Sequence, residues 1–113
     1  MDTLFDQVKE FLDKGETLAV ATIVSTRGST PREVGARMAV TAWGEILGTI
    51  GGGCGEADVK RDAIEVIRTK RPKMVQVDLL DDISSDSPAV CGGIMNVFID
   101  PWWKGQEEGT KKA

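Results

Sequence analysis

The run Gly51-Gly52-Gly53-Cys54-Gly55 stands between a strand-like stretch and a helix-like stretch, and it fixes how the chain must turn there. Glycine reaches positive φ without steric penalty and lets a ligand approach main-chain N–H groups, at an entropic cost that ordinary turns rarely incur so densely. A strand entering this run and a helix leaving it make a strand–turn–helix unit whose turn carries a thiol. The other cysteine repeats the pairing in Cys91-Gly92-Gly93, ahead of the last apolar run. The two clusters are read as one candidate site.

The flanking patterns supply the rest of the fold. Leu4, Val8, Phe11 and Leu12 lie on one helical face, with Asp2 or Thr3 as N-cap and Gly15 as the stop. Leu18 to Ser25, rich in small and β-branched residues, reads as a buried strand, and Thr26 to Arg32 as a polar loop. Met38 and Val40, the turn Ala42-Trp43-Gly44, and Ile46-Leu47 predict a hairpin. Val59, Ala63, Val66 and Ile67 mark a second helix, ending near Lys70 because Pro72 follows. Val75 to Leu80 and Ile94 to Ile99 read as further strands, separated by an acidic connector. The expectation is an α/β fold: a single small domain over residues 1–101, with two helices packed on a mixed or mostly antiparallel sheet of about five strands. Residues 102–113 are expected to form a flexible C-terminal tail, in which Trp102 and Trp103 either cover the core or pack on another subunit.

Composition removes several functions. At 113 residues and net charge −4, with no long basic run, the chain suits neither nucleic acid nor an anionic membrane as main partner. No apolar run approaches the roughly 20 residues that span a bilayer, and Met1-Asp2-Thr3 does not resemble a secretory signal, so a cytoplasmic setting is expected. That setting disfavours a permanent disulfide between Cys54 and Cys91. With no histidine, neither a Ser-His-Asp nor a Cys-His pair can be assembled, and a His-containing zinc site is impossible.

At the helix start, free N–H groups and the positive end of the dipole would surround Cys54, an environment that binds anions and favours the thiolate. The run is neither a Walker loop nor a dinucleotide fingerprint, and a strand-to-helix turn can need glycine merely to bend. Glu56 and Asp58 in the first helical turn would repel a bound anion, so cations are required, and Arg27, Arg32 and Arg37 are available. Each also reads as an ordinary surface charge. Gly92 and Gly93 before a strand are explained equally by a bulge or by a second pocket wall.

Taken in order, Arg27-Gly28-Ser29-Thr30-Pro31-Arg32, Gly35-Ala36-Arg37-Met38, Gly48 through Glu56, and Cys91-Gly92-Gly93 followed by Val97 through Pro101 resemble the XdhC and CoxI family. These are accessory proteins of xanthine dehydrogenase and related molybdenum hydroxylases. The resemblance implies a chaperone that transiently binds the molybdopterin form of the molybdenum cofactor, shelters it during sulfuration and passes it to an apo-hydroxylase. It implies that Cys54 is the thiol nearest the metal and that Gly51, Gly52 and Gly53 cradle the cofactor. Ser29 and Arg32 would hold its oxygens, with Cys91, Gly92 and Gly93 as the second wall. Longer members carry a Rossmann-like domain that this stretch lacks, so a sulfur donor and a separate Rossmann-domain subunit join the apo-hydroxylase as expected partners.

The expected role is therefore that of a maturation factor rather than a catalyst with turnover. Two alternatives stay open: a thiol redox protein using Cys54 and Cys91, and a non-catalytic interaction module for a Rossmann-domain partner. A small glycine-rich domain is also expected to bury apolar edges by forming a homodimer.

Overall fold

The computed structural model describes residues 3–28, 30, 32–50, 55–78 and 93–105. Helix α1 (Thr3–Asp13) leads into strand β1 (Thr17–Arg27), then β2 (Arg37–Thr41), β3 (Ile46–Gly48), helix α2 (Glu56–Thr69), β4 (Lys73–Asp78) and β5 (Ile94–Trp103). The strands form one open sheet in the order β3-β2-β1-β5-β4. Every pairing is antiparallel, which selects the second of the two expected sheet types.

Strand alternation sends the side chains of β1 and β2 to two different helices. Ala19, Ala21 and Ile23 of β1, Met38 and Val40 of β2, and Met95, Val97 and Ile99 of β5 join Val59, Ala63 and Val66 of α2 in the larger core. Leu18 and Val20 of β1, Ala39 of β2 and Leu47 of β3 point the other way, onto Val8, Leu4, Phe11 and Leu12 of α1. Burying side chains of this size contributes roughly 2 kcal/mol each. With a helix on either face, β1 is buried almost continuously from Leu18 to Ile23, which is why its sequence lacks the alternation of a half-exposed strand.

Both helices end in left-handed residues. Gly15 (φ +88°) follows α1 and donates its N–H to the Leu12 carbonyl at 2.9 Å. Lys70 (φ +58°) caps α2, its N–H 2.7 Å from the Val66 carbonyl, and Pro72 prevents continuation. In the β2–β3 turn, Thr41 Oγ1 accepts from the N–H groups of Trp43 (3.2 Å) and Glu45 (3.0 Å).

The structure corrects the expected limits at two strands. β1 runs past Ser25 to Arg27 through a bulge at Val24, so Arg27 lies in the sheet opposite Ile94 and not in the following loop. β5 runs past Pro101, and Trp102 and Trp103, expected in the tail, pair with Leu18 and Thr17. Among the described residues the pairing of β4 ends at Lys73↔Ile99, so Pro101 falls beyond the β4 ladder, where proline is tolerated. Trp102 stacks on Phe5 of α1 (ring centroids 5.5 Å apart) and donates to Asp100, while the Lys70 ammonium sits 4.9 Å from the centre of the Trp103 ring. Trp102 thus covers the α1-side core, while Trp103 lies against Lys70 at the end of α2.

Candidate functional site

Strand directions decide which connections meet. Thr22 faces Arg37, Met38 faces Gly48, and Arg27 and Asp78 both face Ile94. The β1–β2, β3–α2 and β4–β5 connections therefore leave from the same end of the sheet, and they carry the glycine-rich motifs singled out in the sequence. Ser29, Gly51, Gly52, Gly53, Cys54, Cys91 and Gly92 lie outside the described residues; Arg32 and Gly93 lie within them.

Arg32 is exposed, on a loop tied back to β1. Gly35 donates its N–H to the Ile23 carbonyl (2.8 Å), Ile23 donates to the Ala36 carbonyl (3.0 Å), and Thr30 Oγ1 donates to the Arg32 carbonyl (2.9 Å). Residues Arg32 to Ala36 line an open depression of about 540 Å³. Gly93 is buried where β5 begins. Of the other arginines considered, Arg27 is exposed at the end of β1. Arg37 donates from Nε to Thr22 Oγ1 (3.3 Å), with its guanidinium 5.2 Å from the Phe5 ring centre. Arg37 thus ties α1 to the sheet, a role its charge alone did not suggest.

Helix α2 opens at Gly55 (φ +83°) with no side-chain cap, so the N–H groups of its first turn have no hydroxyl or carboxylate cap from that residue. The acids expected to repel an anion both have partners. Asp58 pairs with Arg61 at 3.2 Å, and Glu56 Oε2 accepts from Thr49 Oγ1. Thr49 is the residue that motif reading missed. Its only signal is a hydroxyl at one end of the glycine run and a carboxylate at the other. Among the described residues, no three Cys, Asp or Glu side chains gather as a metal site would require, and no helix is long and apolar enough to cross a membrane.

The fold defines a two-helix, five-strand antiparallel α/β domain with its glycine-bearing connections gathered at one end. Comparison with known proteins gives this class a family. Residues 11–78 match the XdhC and CoxI family, and the chain belongs to it. It is 34% identical over 96 residues to the uncharacterized protein YqeB of Escherichia coli (strain K12), covering 85% of this chain and 18% of that protein. It is 30% identical over 102 residues to a probable xanthine dehydrogenase subunit of Bacillus subtilis (strain 168), covering 88% of this chain and 31% of that one. A crystal structure described as a xanthine dehydrogenase from Bacillus halodurans superimposes with a TM-score of 0.73 at 28% identity, over 89% of this chain and 30% of the other. The chain thus spans less than a third of the length of each of these relatives.

Proposed function

We propose that this domain binds the molybdenum cofactor, in its molybdopterin form, during the maturation of a xanthine dehydrogenase-type hydroxylase, and releases it to the apo-enzyme. Membership of the XdhC and CoxI family carries this reading, together with the xanthine dehydrogenase names borne by relatives matched over most of this chain. The donor set fits an oxygen-rich anion. A helix N-terminus without a side-chain cap offers N–H groups, and the exposed Arg32 offers a planar, bidentate cation.

In this reading the backbone of Gly51, Gly52 and Gly53, with Ser29 and Arg32, holds the phosphate and oxo oxygens, and Cys91, Gly92 and Gly93 form the facing wall. Cys54, as a thiolate at the opening of α2, is the group nearest the metal, where it protects the centre or relays sulfur. The bound cofactor would supply the redox-active metal of the client hydroxylase. This chain supplies orientation and shelter, and the open depression beside Arg32 suits a carrier that must let go. A separate Rossmann-domain subunit, a sulfur donor and a second copy of the domain complete the proposed partners. The last is checked by light scattering at micromolar concentration, where a strictly monomeric species would remove it.

The decisive experiment titrates released cofactor into the reduced protein and into Cys54→Ala, then measures retained molybdenum and pterin after gel filtration. Near-stoichiometric retention, weakened by the substitution, is expected. Retention by neither protein would overturn the reading for this domain. A second reading, a reversible Cys54–Cys91 disulfide, draws on the common sheet end of the two cysteine-bearing connections. It predicts rapid oxidation that links the thiols, which mass spectrometry under non-reducing conditions detects.

A further inference from the structure

We propose that the end of the sheet opposite the glycine-bearing connections is a docking surface for a short acidic segment of a partner protein. Thr17, the first residue of β1, pairs with Trp103, so the close of β5 lies at the far end from Arg27 and Ile94. Helix α2 finishes at the same place, because the Lys70 ammonium reaches the Trp103 ring. Arg68, Lys70, Arg71 and Lys104 are thereby gathered at one end of the molecule, and all four are exposed.

The acids of α2 do not neutralise this surface. Asp58 is paired with Arg61, while Asp62 and Glu65 both hold Lys73. Among the described residues, no carboxylate forms an ion pair with Arg68, Lys70, Arg71 or Lys104. The dipole of α2 accounts for cations at Arg68 and Lys70, but Arg71 lies past the helix cap and Lys104 past β5. Beside Arg71 is an open depression of about 450 Å³, lined by Glu65, Val66, Thr69, Arg71, Pro72 and Lys73. Val66 and Pro72 give it apolar walls, and the Arg71 guanidinium is a planar fork suited to a carboxylate. A segment in which acidic residues flank one small apolar side chain matches both features. A net charge of −4 works against a long polyanion such as a duplex or an anionic bilayer, whereas a short peptide meets mainly the local cations. Docking here leaves the glycine-bearing end open, so this surface and the cofactor reading can fail separately.

Fluorescence anisotropy of a labelled oligoglutamate peptide with one central leucine tests the surface on the intact chain at low ionic strength. Binding is expected, and it should weaken as salt is added. Arg68→Gln combined with Arg71→Gln should weaken it about tenfold, and Lys104→Gln, outside both helices, about threefold. Arg27→Gln combined with Arg61→Gln removes the same charge away from this end and should change the affinity less than about twofold. Melting temperatures matching the parent show that the variants are folded; should the Arg68 and Arg71 variant melt early, Lys104→Gln decides. Equal weakening by the two double substitutions, no binding by the parent, or tighter binding of phosphatidylserine vesicles or a DNA duplex than of the peptide overturns the proposal.

Discussion

Gly48 shows how little room one residue can have. Its φ is +78°, and a methyl group there would stand 3.0 Å from the Arg37 carbonyl oxygen and 3.4 Å from Leu4 Cδ1, where β2, β3 and α1 meet. Both the backbone conformation and the contact oppose a side chain, so Gly48→Ala should cost about 2 kcal/mol. Urea denaturation measures this, and a loss under about 0.5 kcal/mol would show that the edge strand simply shifts. At this scale the sequence was only partly legible. A buried hydroxyl such as that of Thr41 reads as one more strand threonine until the hairpin turns two backbone N–H groups toward it. The Thr49–Glu56 bond joins residues seven apart, outside the three-residue spacing of a capping box, so no local pattern announces it. Arg32 and Arg37 are alike in sequence and both are exposed, and only the docking of α1 sets Phe5 against the Arg37 guanidinium.

The helices and strands were far easier to read, because each carries its own period. Leu4, Val8, Phe11 and Leu12 repeat as a helix must, and the interruption at Pro72 marks the end of α2. The order β3-β2-β1-β5-β4 was not legible, since β5 reaches its place beside β1 through contacts distant in sequence. The end of β5 is hard to read for a local reason: Pro101 and the polar residues after Trp103 look like the end of an element. One element boundary yields a pair of predictions. Lys70 occupies a left-handed conformation, costing about 1 kcal/mol, while its ammonium over Trp103 returns about 0.5 kcal/mol. Lys70→Ala keeps the strain and loses the ring contact, so thermal or urea melting should show it less stable by about 0.5 kcal/mol. Lys70→Gly loses both, and it should lie within about 0.5 kcal/mol of the parent. A glycine variant less stable than the alanine variant would contradict this account of the cap.

Across the whole molecule the sheet is covered unevenly. α2 spans β1, β2, β4 and β5 on one face, whereas α1 on the other reaches β1, β2 and β3. The outer strand β4 is fastened to α2 by Lys73, whose ammonium reaches Asp62 Oδ1 at 2.8 Å and Glu65 Oε1 at 3.3 Å. The hydrogen bond it donates to Asp62, then the one to Glu65, raises the Lys73 pKa above its ordinary 10.5. A cation raised in the folded state contributes its full stability below the unfolded value and loses it as pH climbs through the folded one. Lys73→Met should therefore be less stable than the parent at neutral pH, and the difference should shrink only in strongly alkaline solution. A gap in melting temperature that stays constant through that range would refute the linkage. The placement of Trp102 against α1 and Trp103 beside α2, with Trp43 82% exposed at the hairpin tip, carries a consequence of its own. Neighbouring indoles sense opposite layers of the molecule, and the third sits in water as an internal reference. The domain thus holds a ready-made optical gauge, in which detachment of either helix would register in the emission of a different ring.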